Sequence, residues 1–204
     1  KPTIKFINHA SVLIEYEEIS ILTDPWYEGT SFNDGWELIK ETNANDILNL
    51  LESVTHIWIS HEHPDHFSVG FFKKYAEFIN DNNIKILFQN TLDKRVMSFL
   101  TKSLKLNVLE IDDCEWMQLG NDLKIAVKRF GIYDSSLFLN CNGTIIANLN
   151  DCHISNISEL GRLGKTLPPV DVLITQFSYA SWKSSPEARG DAAQKKLEML
   201  HQQA

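Results

Sequence analysis

The segment His61-Glu62-His63-Pro64-Asp65-His66 contains three imidazoles and a carboxylate within six residues. It directly follows His56-Ile57-Trp58-Ile59-Ser60, a largely apolar run that is typical of a buried strand. Residues two apart project to the same side of an extended chain, so His61 and His63 are expected to face one point. The proline fixes a turn and directs the last two side chains toward a neighbouring point. The segment therefore predicts ligands for two adjacent metal ions.

A surface loop that is rich in histidine and acid by accident is the alternative interpretation of this segment. The chain has only seven histidines in 204 residues, however, and three of them follow the pattern H-x-H-x-D-H. That specificity favours a metal site. Imidazole and carboxylate groups bind zinc, manganese and iron. We expect two divalent metal ions, with zinc preferred and iron or manganese as alternatives.

Composition limits the class of protein. With 43% hydrophobic and 10% aromatic residues, a chain of 204 residues can form one globular domain with a substantial core. The net charge of -8 argues against a nucleic-acid partner, because phosphate binding needs a basic surface. A dication in the site could still attract a small anionic substrate.

The cysteines and the apolar segments bear on the compartment. Cys114, Cys141 and Cys152 are too few and too scattered for a disulfide framework, which indicates a reducing compartment, with the cytoplasm as the default. No apolar stretch approaches the ~20 residues that cross a bilayer, so we expect no integral membrane segment.

The chain begins with Lys1 and not with methionine. We therefore expect residues 1–204 to be a single domain that is a fragment or a trimmed form of a longer protein.

Short apolar runs alternate with helical patterns along the chain. The predicted strands are Thr3 to Asn8, Ser11 to Tyr16, Glu18 to Thr23, Thr55 to Ser60, Lys85 to Gln89, Asn107 to Ile111, Leu123 to Arg129, Leu137 to Cys141, Thr144 to Leu149 and Val170 to Gln176. The predicted helices follow Asn45 and Ser68 as caps, and cover Leu92 to Thr101 and Pro186 to Gln203. The first three strands indicate an antiparallel meander, and Asn142-Gly143 predicts a hairpin turn. The whole pattern predicts two sheets packed face to face with helices outside.

The segment from Asp24 to Glu41 has no sustained period and predicts an ordered loop. It contains three large aromatics, Trp26, Phe32 and Trp36. Aromatic rings and glycines together could shape a substrate pocket. A hydrophobic plug over a sheet edge is the alternative interpretation.

The motif H-x-H-x-D-H, placed after a buried strand and between two strand ends that carry aspartates, resembles the metallo-β-lactamase superfamily. Within it, Ile7-Asn8-His9-Ala10-Ser11, Thr23-Asp24-Pro25-Trp26 and Gly35-Trp36 are most similar to the C-terminal domain of the CMP-N-acetylneuraminate hydroxylase family. They resemble more loosely the ascorbate-6-phosphate lactonase and N-acylphosphatidylethanolamine phospholipase D branches. The similarity covers about Ile4 to Tyr179.

The resemblance implies an α/β fold, namely an αββα four-layer sandwich with metal ions at one edge of the paired sheets. By the motif, His61 and His63 would bind one metal ion, and Asp65 and His66 would bind the second. Asp151 takes the place of the bridging aspartate of the superfamily. A carboxylate in that position would leave room for a shared hydroxide. Judged without the motif, a turn residue or a helix cap after a strand is the alternative role of Asp151.

Two further residues match positions near the site. Asp24 matches the early aspartate of the superfamily, which supports the metal-binding loop through hydrogen bonds. On local sequence alone it would equally form an Asp-Pro turn. His9 matches a residue that faces the site in the lactonase-like branches, and we expect it to contact a metal ligand or substrate. A structural role at the strand end is the alternative for His9.

The chain also departs from the superfamily pattern. A third histidine for the first metal is expected just before the hairpin, yet the segment from Phe130 to Asp134 contains none. His153 is the nearest substitute for this ligand, although it could equally be a solvent-exposed loop residue. Tyr133 or Asp134 could reach inward instead. A last histidine is expected from beyond the final helix, where this chain ends. We therefore expect the fold to lack its last C-terminal elements and to leave the sheet edge near residues 170–176 open to an oligomer or partner.

Three functions are compatible with these residues. The first is a metal-dependent hydrolase in which a metal-bound hydroxide attacks an ester, phosphoester or lactone of a small, sugar-derived or anionic substrate and Asp65 orients the nucleophile. The second is an oxygenase domain like that of the resembled hydroxylase, which works with a Rieske iron–sulfur donor. The third is a degenerate domain that binds a ligand or partner without turnover.

Overall fold

The computed structural model of this chain describes residues 1–152, 154, 158, 161, 164, 165 and 167–176. The described strands are β1 Thr3–Asn8, β2 Ser11–Tyr16, β3 Ile19–Thr23, β4 Thr30–Ser31, β5 Trp36–Glu37, β6 His56–Ile59, β7 Lys85–Gln89, β8 Val108–Ile111, β9 Met117–Gln118, β10 Leu123–Phe130, β11 Asp134–Cys141, β12 Thr144–Asn150 and β13 Val172–Thr175. The described helices are α1 Ala44–Glu52, α2 Val69–Asp81 and α3 Arg95–Ser98, which runs into a π-helical turn at Phe99–Ser103.

The first sheet has the strand order β1-β2-β3-β6-β7-β8. Strands β1, β2 and β3 pair antiparallel, which confirms the predicted meander. From β3 onward the pairs are parallel, because each connection is long enough to include a helix. The carboxyl ends of β3, β6 and β7 consequently meet at one edge of the sheet. The aspartate after β3 and the histidine segment after β6 both follow strands that end there.

The second sheet has the order β13-β12-β11-β10-β9. Strands β11 and β12 form the hairpin predicted at Asn142-Gly143, and both turn residues have positive φ, 50° and 93°. That backbone suits a two-residue turn of the kind Asn-Gly favours. Strand β13 pairs in parallel with β12 and is the outermost described strand of this sheet. An oligomer or partner at this edge remains a prediction.

Buried side chains form three clusters that define the layers. The first contains Ile57 and Ile59 of β6 together with Phe72 and Ile79 of α2, so the helices cover one face of the first sheet. The second contains Trp58 of β6 together with side chains of β10 to β12, and it fills the space between the sheets. The third lies against the outer face of the second sheet. Because β6 is buried on both faces, its consecutive residues Ile57, Trp58 and Ile59 are all apolar, as in other central parallel strands.

Local signals located the helices with small errors. Ser68 caps α2 as predicted, and its hydroxyl accepts a hydrogen bond from the Phe71 N–H. Helix α1 begins earlier than expected, because Asn43 and not Asn45 is its cap. The predicted loop from Asp24 to Glu41 contains the short ribbon of β4 and β5. The predicted closing helix, residues 186–203, lies outside the described residues.

None of the helices in the described part of the chain combines the length and the apolar character that a membrane crossing requires.

His56, the first residue of β6, predicts an acid-sensitive step in unfolding. Its side chain is 5% exposed, and its Nε2 has no hydrogen-bond partner among the described residues. Burial, assisted by the charge of Lys85, lowers the pKa of His56 to about 4. The unfolded chain, with an ordinary pKa, therefore binds more protons between pH 6.5 and pH 4. The stabilisation is complete above pH 6.5 and is lost as pH falls through the folded pKa.

We expect the unfolding free energy to fall by about 3 kcal/mol from this residue between pH 7 and pH 4. Urea unfolding at a series of pH values measures it, and His56→Leu isolates the contribution of the imidazole. A His56→Leu variant that loses stability in acid as steeply as the parent protein would contradict the assignment.

Candidate metal centre

The candidate site lies where the ends of four strands from the two sheets meet. Asp24 follows β3, the histidine segment follows β6, Asp151 follows β12, and Asp134 opens β11. The structure brings these residues within contact distance of one another. The sandwich fold thus places side chains that are up to 127 positions apart along the chain at one edge of the paired sheets.

One group of donors consists of His61, His63 and Asp134. The Nε2 of His61 lies 2.8 Å from the Nδ1 of His63, and it lies 3.8 Å from an Oδ of Asp134. His61 is buried, whereas His63 is exposed at the surface of the loop. The Nε2 of His61 therefore has a ring nitrogen of His63 and a carboxylate oxygen of Asp134 as neighbours.

A second group surrounds His66. Its Nε2 lies 3.4 Å from an Oδ of Asp65 and 3.3 Å from an Oδ of Asp151. Ligand atoms of His61, His66 and Asp151 all lie within 4.8 Å of one another, as do those of His9, Asp65 and His66. Asp151 is thus within reach of both groups, which is the arrangement that a bridging carboxylate needs.

Asp24 is buried, with 1% of its surface exposed, and it holds neighbouring residues of the site through hydrogen bonds. Its carboxylate accepts hydrogen bonds from the backbone N–H and the hydroxyl of Ser60, each 2.7 Å long. It also accepts one from the amide of Asn150 and pairs with the Nδ1 of His66 at 3.0 Å. Because Nδ1 of His66 is held by Asp24, its Nε2 is the nitrogen that faces Asp65 and Asp151.

The pKa values in the site reflect these contacts. Burial by itself would lower the pKa of His66, but the hydrogen bonds that its ring can donate to Asp151, Asp24 and Asp65 raise it well above its ordinary value. Burial would raise the pKa of Asp65, and the hydrogen bonds that its carboxylate accepts from His66 and His9 instead hold that pKa far below its usual range. Burial and the neighbouring His66 lower the pKa of His61 to about 4. A neutral His61 ring keeps the lone pair that a metal ion would use.

The donors fit a site for divalent metal. Asp65 has a buried oxygen, Oδ1, that makes no hydrogen bond within the described residues, which is costly unless a cation or another donor satisfies it. Burial raises the pKa of Asp134, and the negative charge of the nearby Asp151 raises it further. The carboxylates of Asp134 and Asp151 therefore repel one another in the absence of cations. The four negative charges of Asp24, Asp65, Asp134 and Asp151 would balance the charge of two dications. Carboxylate and imidazole groups are also the usual ligands of zinc, iron and manganese.

Aromatic rings flank the site on one side. His9 meets Trp26 edge to face with ring centroids 5.1 Å apart, and its Nε2 lies 3.1 Å from an Oδ of Asp65. Phe32 lies 5.3 Å from Trp36 and 5.9 Å from His63, measured between ring centroids. The loop with these aromatics therefore forms a wall beside the donors, and His9 connects that wall to Asp65.

Several polar residues were missed by the sequence analysis. The backbone carbonyl of Ser60 accepts hydrogen bonds from Gln89 Nε2 and from the Ser135 hydroxyl, at 3.0 Å and 2.6 Å. Gln89 Nε2 also donates to the carbonyl of Tyr133. These bonds join the strand end before His61 to the strand start at Asp134. Two residues were predicted as possible substitutes for the missing histidine besides Asp134. Tyr133 lines a neighbouring cavity, and His153 lies outside the described residues.

Comparison with known proteins assigns the family. A family model described as a β-lactamase superfamily domain matches residues 3–188. The chain belongs to the β-lactamase superfamily. This confirms the resemblance seen in the sequence and, together with the two sheets, the predicted fold. The site contains two groups of His and Asp side chains that could hold a metal ion.

The curated relatives of this superfamily domain include cytidine monophosphate-N-acetylneuraminic acid hydroxylases. The protein of Asterias rubens is 26% identical over 180 residues, which is 86% of this chain and 26% of the relative. That of Danio rerio is 27% identical over 183 residues, 86% of this chain and 29% of the relative. The chain thus spans between a quarter and a third of the length of these relatives.

Two solved structures illustrate the fold. A mutant of the CmlA β-hydroxylase matches with a TM-score of 0.70 at 14% identity, over 99% of this chain and 44% of that chain. A protein described as a "possible metal-dependent hydrolase" from Veillonella parvula matches with a TM-score of 0.63 at 17% identity. The match covers 97% of this chain and 81% of that chain. At these identities the likeness concerns the superfamily fold alone. It includes proteins that are named for two different kinds of reaction.

Proposed function

We propose that this superfamily domain is the metal-binding part of a hydroxylase that acts on a small, anionic, sugar-derived substrate. The observation that carries the proposal is the position of Asp134, whose carboxylate lies 3.8 Å from the Nε2 of His61, the nitrogen that also neighbours His63. Two imidazoles and one carboxylate with open positions are characteristic of non-haem iron oxygenases. The names of the curated relatives support the same reaction class.

The donor set also bears on the metal. In the proposed site, Asp134 replaces the third histidine that the superfamily pattern supplies, and Asp65 and Asp151 add two more carboxylates. A site with as many oxygen donors as nitrogen donors suits iron or manganese better than a site rich in imidazole, which suits zinc. We therefore propose two iron ions, in place of the zinc that the motif alone favoured.

Bound iron would supply the activation of dioxygen, and the chain would supply ligands, orientation and proton handling. Asp24 would hold the His66 ring so that Nε2 faces the metal. His9, paired with Asp65 at the partly exposed edge of the site, would hold a proton there. Hydroxylation with dioxygen places one oxygen atom in the product and one in water, and it consumes two electrons and two protons. We propose that an iron–sulfur donor, in another domain or protein, delivers these electrons.

A hydrolase is the second candidate, and a different observation favours it. Asp151 reaches both donor groups, and a carboxylate bridging two metal ions accommodates the shared hydroxide that attacks esters, phosphoesters and lactones. In that reaction Asp65, with its low pKa, would orient the hydroxide as a carboxylate. A domain that binds ligand without turnover is the third candidate.

Metal content and oxygen use distinguish these candidates. The 204-residue chain is purified without oxygen, stripped of metal, and loaded with iron(II) or zinc. The hydroxylase proposal expects two iron ions per chain and oxygen consumption that depends on an added reductant and on CMP-N-acetylneuraminic acid. Ester or lactone hydrolysis by the zinc form, with no oxygen consumption by the iron form, would replace it with the hydrolase. A chain that retains neither metal would leave only the binding domain.

Asp134→His tests the central observation directly. The substitution would convert the first donor group to three imidazoles, and we expect the ratio of zinc to iron retained in competition dialysis to rise at least about tenfold. Asp122→His is the matched control, because Asp122 is an exposed aspartate in the turn before β10. An unchanged ratio in Asp134→His, or an equal rise in the control, would show that Asp134 is not a ligand.

A further inference from the structure

A cavity of about 330 Å³ lies beside the proposed metal centre. It begins at Glu62, whose neighbours in the chain are the two histidines of the first donor group, and continues to the end of β7 and the turn between β10 and β11. Leu92, Ile132 and Tyr133 line its exposed side, and Val96 lines its buried side. The cavity therefore opens at the carboxyl ends of parallel strands, where α/β proteins commonly bind ligands.

Arg129 contributes a positively charged side chain to the lining of this cavity. Its guanidinium donates one hydrogen bond, 3.1 Å long, to the backbone carbonyl of Asn90. The nearby carboxylate of Asp113 accepts a hydrogen bond from the backbone N–H of Arg129 and pairs with Lys128, and no ion pair within 4.0 Å joins it to the Arg129 guanidinium in the described part of the chain. The acids of the cavity are occupied elsewhere, because Arg95 pairs with both Glu62 and Asp93. An arginine with free N–H groups is a good donor to carboxylate or phosphate oxygens.

Gln89 lies in the wall of the same cavity, and its side chain has an unused acceptor. Its side chain is 1% exposed, and its Nε2 is fixed by donating to the carbonyls of Ser60 and Tyr133. Two carbonyl partners leave only one sensible orientation of the amide, with Oε1 as the free atom. That Oε1 is buried and has no hydrogen-bond partner within the described part of the chain. A buried acceptor of this kind calls for an N–H or O–H group from a ligand or water.

We propose that this cavity binds the part of the substrate that does not react, and that it recognises an oxyanion joined to a body with an N–H or O–H donor. Arg129 binds the oxyanion, Gln89 accepts from the donor, and Tyr133 with Leu92 and Ile132 covers the apolar surface. The choice of probes rests on the proposed function. A nucleoside monophosphate and a sugar acid each carry this chemistry, the first through phosphate and the second through carboxylate.

Calorimetric titration of the 204-residue chain tests the proposal with two probes, cytidine 5′-monophosphate and N-acetylneuraminic acid. Each probe is titrated into the metal-free and the iron-loaded chain. We expect at least one of them to bind in both forms, since Arg129 and Gln89 are not metal ligands. The probe that binds identifies the oxyanion as phosphate or carboxylate. Binding by neither probe would overturn the proposal, whereas the metal-content experiment would stand unaffected.

Arg129→Gln should weaken the binding of that probe at least about tenfold, because it removes the charge from the hydrogen bonds to the oxyanion. Lys124→Gln is the matched control, since Lys124 is an exposed cation on the same strand and does not line the cavity. Equal losses in the two variants would show general electrostatic attraction and would overturn the proposal. Unchanged affinity in Arg129→Gln would overturn it as well. Both side chains are exposed, so folding should be preserved.

Discussion

Replacing His63 with alanine is expected to remove metal from the first donor group while leaving the domain folded. His63 is exposed, and its closest contacts are the rings of His61 and Phe32. No apolar core depends on it, so the unfolding free energy of the metal-free chain should change by less than about 0.5 kcal/mol. Affinity at this position should fall at least about a hundredfold, because changes in the support of a ligand alone cost 10–100-fold.

Equilibrium dialysis with iron(II) and circular dichroism measure these two effects separately. Glu62→Gln is the matched control for metal binding, because Glu62 belongs to the same loop but turns toward Arg95 and the neighbouring cavity. Full metal binding by His63→Ala would exclude His63 as a ligand. Loss of secondary structure at room temperature would instead mean that the metal stabilises the fold and that its role is structural.

Sequence patterns predicted the strands well because their causes are local. In β1, β2 and β7 the predicted and observed bounds agree, since turn residues flank short apolar runs. The helix expected from Leu92 to Thr101 begins at Arg95 in the structure. Local periodicity alone could not exclude residues 92–94, because Leu92 looks apolar in the pattern but is fully exposed. In the structure Leu92 lies before the helix and lines the cavity.

The proposed third ligand of the first donor group could not be chosen from the sequence. His153 was the nearest substitute in the sequence, with Tyr133 and Asp134 as alternatives. Alternation along a strand places these two neighbours on opposite sides but does not reveal which side faces the site. The structure turns Asp134 toward His61 and Tyr133 toward the cavity. Register between β10 and β11 decides this, and register depends on the partner strand.

The hydrogen bonds that hold the backbone carbonyl of Ser60 could not be predicted from the sequence, for a related reason. Gln89 and Ser135 both bind the carbonyl of Ser60, although they lie 29 and 75 positions from it. Nothing in the local sequence distinguishes a glutamine that closes β7 from one that faces solvent. Asp24 was an exception, because the family resemblance gave it a role before its contacts were known.

Asp24→Ala should produce the largest loss of stability in the chain. The carboxylate is buried and accepts hydrogen bonds from Ser60 twice and from Asn150, and it also pairs with His66. Removing it leaves these buried donors without a partner, and breaking a buried, hydrogen-bonded ion pair costs about 3–5 kcal/mol. The His66 ring would also lose the contact that fixes its orientation, so metal affinity should fall about 10–100-fold.

Urea unfolding of the metal-free chain separates the structural effect of Asp24→Ala from the effect on metal binding. Asp24→Asn is the informative comparison, because asparagine keeps one acceptor oxygen and tolerates the φ of 38° found at this position. We expect Asp24→Asn to be intermediate and Asp122→Ala, in an exposed turn, to stay within about 0.5 kcal/mol of the parent. If Asp24→Ala were also within 1 kcal/mol, the buried carboxylate would not stabilise the metal-binding loop. The geometry of His66 would then have to come from Asp65 and Asp151, with which it also pairs.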